Sequence, residues 1–124
     1  MLAAKGRRAA AVTTLTALLA FTGAGCGDDG GGGSTELVEI EVTFDGGTVT
    51  PNGDRVDVDA GQPIDLVVTA DEPGEIHVHS DPEQTFEYDG DGATTTLELA
   101  IDRPGVVEVE SHDLNQVIVQ LEVK

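Results

Sequence analysis

From residue 37 onward the chain alternates apolar and polar side chains. Val38, Ile40, Val42 and Phe44 are interleaved with Glu39, Glu41 and Thr43. A period of two puts one set on each face of a strand. Asp45-Gly46-Gly47 is a turn signal, and Thr48-Val49-Thr50 follows it. Pro51-Asn52-Gly53-Asp54 is a second turn. Residues 55–59 alternate Val56 and Val58 with charge, and Gly61-Gln62-Pro63 breaks the run. Residues 64–69 put Leu66 and Val68 on one face. Asp71-Glu72-Pro73-Gly74 turns into a strand through His77. Residues 85–88 form a short fragment before the turn Asp89-Gly90-Asp91-Gly92, and residues 94–101 alternate again. Asp102-Arg103-Pro104-Gly105 leads into 106–110. Val117, Val119, Leu121 and Val123 line one side of a closing strand. Seven or eight short strands joined by turns predict an all-β sandwich or barrel of about 90 residues. Val107, Val109, Val119 and Leu121 are expected in its core. No window carries a helical period.

The first 25 residues do not fit this pattern. Lys5, Arg7 and Arg8 precede an apolar stretch over 9–21, and the small residues Gly23, Ala24 and Gly25 lead to Cys26. This is the layout of a secretory signal peptide. The apolar stretch falls short of the ~20 residues that a permanent membrane span needs. Cys26 is the only cysteine. Its place resembles the lipobox of bacterial lipoproteins, although Gly23 stands where that motif usually has Leu. The resemblance implies an acylated Cys26 as mature N-terminus; the alternative is an ordinary secreted protein with a free thiol. An intramolecular disulfide is impossible, so packing alone stabilises the core. Residues 27–34, Gly-Asp-Asp-Gly-Gly-Gly-Gly-Ser, have no apolar side chain to bury and read as a flexible tether. The expected layout is a signal peptide over 1–25, acylated Cys26 with its tether over 26–35, and the β-sandwich over 36–124. The expected location is the extracytoplasmic face of a cell membrane.

Charge narrows the partners. The chain has 24 acidic and 6 basic residues and a net charge of −18. Loss of residues 1–25 removes three positive charges and no acid, which takes the net charge from −18 to −21. Such a surface repels nucleic acid and anionic headgroups. It suits solubility outside the cell, or attraction of cations or a basic partner.

All three histidines fall in two stretches, Glu75-Ile76-His77-Val78-His79-Ser80 and Gly105-Val106-Val107-Glu108-Val109-Glu110-Ser111-His112. On a strand, residues two apart share a face with Cα atoms about 6.6–6.8 Å apart. His77 and His79 can then converge on one ion, and His112 from a neighbouring strand can complete a three-nitrogen site for Cu(II) or Zn(II). Asp81 or Asp113 can add an oxygen. If Ile76 and Val78 face the core, the same histidines point to solvent and can be ordinary surface residues.

The run Val58-Asp59-Ala60-Gly61-Gln62-Pro63-Ile64-Asp65-Leu66-Val67-Val68 resembles a pattern of the cupredoxins, the fold of the blue copper proteins. Arg103-Pro104-Gly105-Val106-Val107-Glu108-Val109-Glu110-Ser111-His112 resembles the family's strand ending in the copper-binding cysteine, and 117–123 its closing strand. The resemblance covers roughly residues 37–124 and implies a cupredoxin-like Greek-key β-sandwich. Ser111 stands at the place of the cysteine. A blue-copper site needs two His, a Cys thiolate and usually an axial Met. The only methionine is Met1. Electron transfer of the blue-copper kind is therefore not expected.

No nucleophile–base pair emerges, because Ser111 and His112 are sequence neighbours and point to opposite faces of a strand. Asp89-Gly90-Asp91-Gly92 lacks the further carboxylates of a calcium loop and reads as a surface turn. The chain is expected not to be an enzyme. Two functions remain: a membrane-anchored lipoprotein that binds a divalent metal, copper by family analogy, or a metal-free module that meets an envelope protein partner.

Overall fold

The computed structural model describes residues 33–124. Nine strands form there: β1 Val38–Asp45, β2 Thr48–Thr50, β3 Asp54–Val58, β4 Ile64–Ala70, β5 Gly74–Val78, β6 Gln84–Tyr88, β7 Thr94–Leu99, β8 Gly105–Ser111 and β9 Gln116–Val123. No helix occurs among the described residues. The expected seven or eight strands become nine because the short pieces β2 and β6 both pair with neighbours. The signal-peptide reading and the Cys26 assignment lie outside the described residues.

The strands make two sheets. One has the order β2-β1-β4-β7, the other β3-β9-β8-β5-β6. The pairs β1–β4 and β3–β9 are parallel, and the remaining neighbours are antiparallel. The alternation read from the sequence decides which side chains meet between the sheets. Ile40, Val42, Phe44, Ile64, Leu66, Val68 and Leu97 come from the first sheet. Val58, Ile76, Val78, Val107, Val109 and Leu121 come from the second. Phe44 and Tyr88 stack across the gap with ring centroids 4.7 Å apart. The β1–β2 turn consists of Gly46 and Gly47, with φ of 59° and 79°. Two successive positive φ angles define the hairpin turn whose twist matches its strands, and glycine adopts them without a Cβ clash.

One facing expectation is overturned. A β-bulge interrupts the β8–β9 ladder: Val109 pairs with Val119, but Glu110 pairs with Val117. Ile118 is the extra residue. A bulge inserts one residue and shifts the side-chain parity of its strand. Ile118 is therefore fully buried, and Val117 is not part of the core. Val119, Leu121 and Val123 face inward as the alternation predicts.

One end of the sandwich receives the N-terminal segment. The Ser34 N–H donates to Asp59 Oδ2 at 2.7 Å, and the Val38 N–H donates to the Pro63 carbonyl at 3.0 Å. Gln62 is buried there with both ends of its amide satisfied: Oε1 accepts from the Asp59 N–H and Nε2 donates to the Glu36 carbonyl, each at 2.8 Å.

Candidate metal centre

The candidate centre lies on the outer face of the five-stranded sheet, not between the sheets. Ile76 and Val78 are fully buried. His77, between them, must point outward. His79 follows β5 and extends its ladder, since its N–H donates to the Glu108 carbonyl at 2.9 Å. On β8, Val107 and Val109 face inward, which leaves Glu108 and Glu110 on the outer face. Ser111 is fully buried, and His112 is exposed just past the strand. A left-handed residue, Asn115 (φ 52°), tightens the turn that follows, and its N–H donates to the His112 carbonyl at 3.2 Å. Asn tolerates this conformation better than most side chains.

Strand register then brings the two stretches together. Ile76 pairs with Ser111, His77 with Glu110 and Val78 with Val109. Directly opposed side chains in an antiparallel pair sit about 4.5–5.5 Å apart at Cβ. The outer face thereby becomes a patchwork of imidazoles and carboxylates. Glu110 Oε1 lies 2.7 Å from both His79 Nε2 and His112 Nε2. One ligand atom from each of His79, Glu110 and His112 falls within 4.8 Å of the others. These are the donors that the structure gathers.

His77 has a different environment. Its ring stacks on His112 with centroids 3.9 Å apart and planes 21° apart. Its Nδ1 faces Glu83 Oε1 at 3.3 Å, and its Nε2 pairs with Glu75. The two proposed oxygen ligands are engaged elsewhere. Asp81 pairs with Arg103, and Asp113 accepts the Glu75 N–H at 3.2 Å. The carboxylate that joins the cluster is Glu110. Its signal was present in the sequence, because Glu110 is two residues before His112 and shares the outward parity of the strand.

The charges of the cluster are coupled. The hydrogen bond to Glu83, followed by that to Glu75, raises the His77 pKa above its ordinary value. The hydrogen bond from His79 lowers the Glu110 pKa, against a smaller opposing effect of burial. Arg55, Arg103 and Lys124 are each paired with a surface carboxylate. His77 lies against Glu75 and Glu83, and His79 and His112 lie against Glu110.

Ser111, at the place of the cupredoxin cysteine, is on the other side of the sheet. Its Oγ accepts the Leu114 N–H at 3.3 Å. Burial, helped by the Asp113 charge, raises the Tyr88 pKa. Ser111 and His112 accordingly form no dyad, as strand geometry requires.

With this geometry in place, the chain can be set beside known proteins. No protein-family model matches it, and no curated protein does. Solved structures do. An apo copper-binding protein solved by NMR superposes with a TM-score of 0.55 at 16% identity, over 74% of this chain and 94% of that one. The metal-binding domain of the Cu(I)-exporting P-type ATPase CopA of Streptococcus pneumoniae D39, with Cu(I), gives 0.54 at 14% identity, over 74% and 99%. Reduced auracyanin from Roseiflexus castenholzii gives 0.53 at 13% identity, over 75% and 99%. The fold is cupredoxin-like. At these identities the likeness concerns the fold alone, and the cupredoxin-like chain must be read for function from its own outer-face cluster.

Proposed function

We propose that this chain is a membrane-anchored, extracytoplasmic lipoprotein whose cupredoxin-like head binds a divalent metal ion, copper(II) first, without blue-copper electron transfer and without catalysis. The observation that carries the reading is the convergence of His79, Glu110 and His112 on the outer face. Imidazole nitrogen and carboxylate oxygen suit Cu(II) and Zn(II), and Cu(II) stands highest in the divalent affinity series. Residues 33–124 contain no cysteine or methionine, so the soft ligands that favour Cu(I) are missing from the head. The copper-binding descriptions of the similar structures agree with this reading. The anchor rests on Cys26 between the signal-like segment and the glycine-rich tether.

The test is calorimetric titration of the full chain with Cu(II) and with Zn(II) at moderate salt, wild type against the triple variant His77→Ala, His79→Ala, His112→Ala. Salt suppresses diffuse attraction to the acidic surface. Wild type is expected to bind one ion that the variant does not. Binding should strengthen as pH rises through the imidazole range, because protons compete with the metal.

A second reading has its own observation: each imidazole already has a carboxylate partner. Equal binding by wild type and variant would establish the cluster as cross-strand ion pairing in a metal-free module that meets an envelope protein.

A further inference from the structure

Where β5 begins and β6 ends, a cleft of about 530 Å³ opens between Gly74, Glu75, Glu87, Tyr88, Asp89 and Asp113. Apart from the phenol, every ionisable group in its lining is an acid. The basic side chains of the described residues, Arg55, Arg103 and Lys124, are paired elsewhere. Strand register adds to the imbalance. Glu75 and Glu87 are directly opposed across the β5–β6 ladder, and like charges so placed destabilise a sheet. His77 pairs with Glu75. Glu87, Asp89 and Asp113 pair with no cation among the described residues.

A fixed polar group is aimed into the same cleft. Only 6% of Tyr88 is exposed, and its ring is held against Phe44. Its hydroxyl takes no hydrogen bond among the described residues. None of their polar side-chain atoms is both fully buried and unpaired, so this hydroxyl opens into the cleft. Gly74 makes the room. A Cβ there would collide with the Tyr88 hydroxyl and stand 2.8 Å from Asp113 Oδ2. Glycine allows this close approach of backbone, phenol and carboxylate.

Spacing selects the cation. A hard metal ion draws oxygen ligands to within about 2.0–2.6 Å of one point. Three acceptors hydrogen-bonded to one ammonium at ~2.9 Å lie about 4.7 Å from one another. Among the described residues, the only imidazole or carboxylate trio within 4.8 Å is His79, Glu110 and His112. No three acids of the cleft therefore converge on a metal or an ammonium. A guanidinium spreads five N–H donors over a plane and can bond separated acceptors at once. The lining also selects what carries the guanidinium. A free amino acid would bring an α-carboxylate that no basic group there neutralises, whereas an arginine within a polypeptide brings only its cation.

We propose that this cleft receives the guanidinium of an arginine projecting from a partner protein, with the Tyr88 hydroxyl and Asp113 as acceptors beside Gly74 and with Glu75, Glu87 and Asp89 as the surrounding charge. The site is separate from the His79–Glu110–His112 cluster and stands whether or not that cluster holds a metal. Arginine is among the residue types that dominate binding energy at protein interfaces.

The experiment titrates the metal-free full chain with the end-capped peptide Gly-Arg-Gly at about 0.15 M salt, where diffuse attraction is screened, and follows amide NMR shifts. The comparison probes are the same peptide with Lys or citrulline in place of Arg, and free L-arginine. Saturable shifts are expected at Gly74, Glu75, Tyr88 and Asp113. The Arg peptide should bind more tightly than the Lys peptide and free arginine, and the neutral citrulline peptide should give no saturable shift. Tyr88→Phe keeps the ring on Phe44 and should weaken binding about 10-fold, as for loss of a hydrogen bond to a charged group. Glu87→Gln should also weaken it. Asp65→Asn, which removes the same charge from the outer face of the other sheet, should leave it unchanged. Equal binding of the Arg and Lys peptides, or equal losses in Glu87→Gln and Asp65→Asn, would reduce the effect to the acidic surface at large and overturn the proposal. Tyr88→Phe binding as well as wild type, or free arginine binding as tightly as the Arg peptide, would equally overturn it.

Discussion

Replacing Ser111 with cysteine supplies the thiol that the cupredoxin pattern has at this place, and the structure predicts that no blue copper site results. Ser111 is fully buried between the sheets. His77, His79 and His112 lie on the opposite face of the same sheet, because β8 alternates Val107 and Val109 inward with Glu108 and Glu110 outward. The sheet itself separates the new sulfur from all three imidazoles. Its energetic effect can be worked from the hydrogen bond that Oγ accepts from the Leu114 N–H at 3.3 Å. Sulfur is a weak acceptor, and a neutral hydrogen bond contributes about 0.5–1.5 kcal/mol net. The Leu114 contact is long, near the limit for a hydrogen bond. Ser111→Cys should thus cost about 1 kcal/mol, a fall in Tm of roughly 4–8 °C for a domain of this size. Thermal melting followed by circular dichroism measures the first quantity, and visible absorption after Cu(II) addition tests the second. A pale spectrum, unchanged from wild type, is expected. An intense thiolate-to-copper band would refute the placement of Ser111 and the histidines on opposite faces.

Three further perturbations test the remaining readings. The metal-free protein has a pH-dependent contribution from the cluster: His77, with its pKa raised, stabilises the fold fully below its ordinary 6.5 and loses this as pH rises through the folded value. Glu110, with its pKa lowered, stabilises above its ordinary 4.5 and loses this as pH falls through the folded value. Only the first contribution is removed by His77→Phe, so in urea melts the margin of wild type over His77→Phe should be larger below pH 6.5 than well above it; a margin independent of pH would contradict the assigned pairing. Leu121→Ala, at a fully buried site, should cost about 2–5 kcal/mol, and a loss under about 1 kcal/mol in denaturant titration would place Leu121 outside the core. Cys26→Ala should move the chain from the membrane fraction to the soluble fraction or leave it unprocessed; wholly soluble wild type with an unmodified thiol by mass spectrometry would dismiss the anchor.

The strands were legible because each has one wet and one dry face. Alternation alone placed Val107, Val109, Val119 and Leu121 inside, and the structure buries all four. It also set Ser111 and His112 on opposite faces. Val117 was misplaced because a bulge is a local count of residues between two strands, visible only once the partner strand is known. The same lack of register hid how the imidazoles meet. Sequence spacing relates His77 to His79, but the approach of His112 depends on the pairing of Ile76 with Ser111. The parity of Glu110 is readable in the sequence, but parity alone does not single it out among many acids; only the register sets two imidazoles against its carboxylate.

The hydrogen bond from Ser34 to Asp59 gives the head a polarity along its strands. Residue 59 follows the end of β3 where Val58 pairs with Val123, and Val123 is also paired with Gly105 at the start of β8. From Gly105 the strand runs for about 20 Å, at ~3.4 Å per residue, before it reaches Ser111 and then His112. Chain entry and the far limit of the imidazole cluster thus occupy opposite ends of one strand. The Ser34 contact sits at the foot of β8, with His112 past its other end and His79, opposite Glu108, between the two.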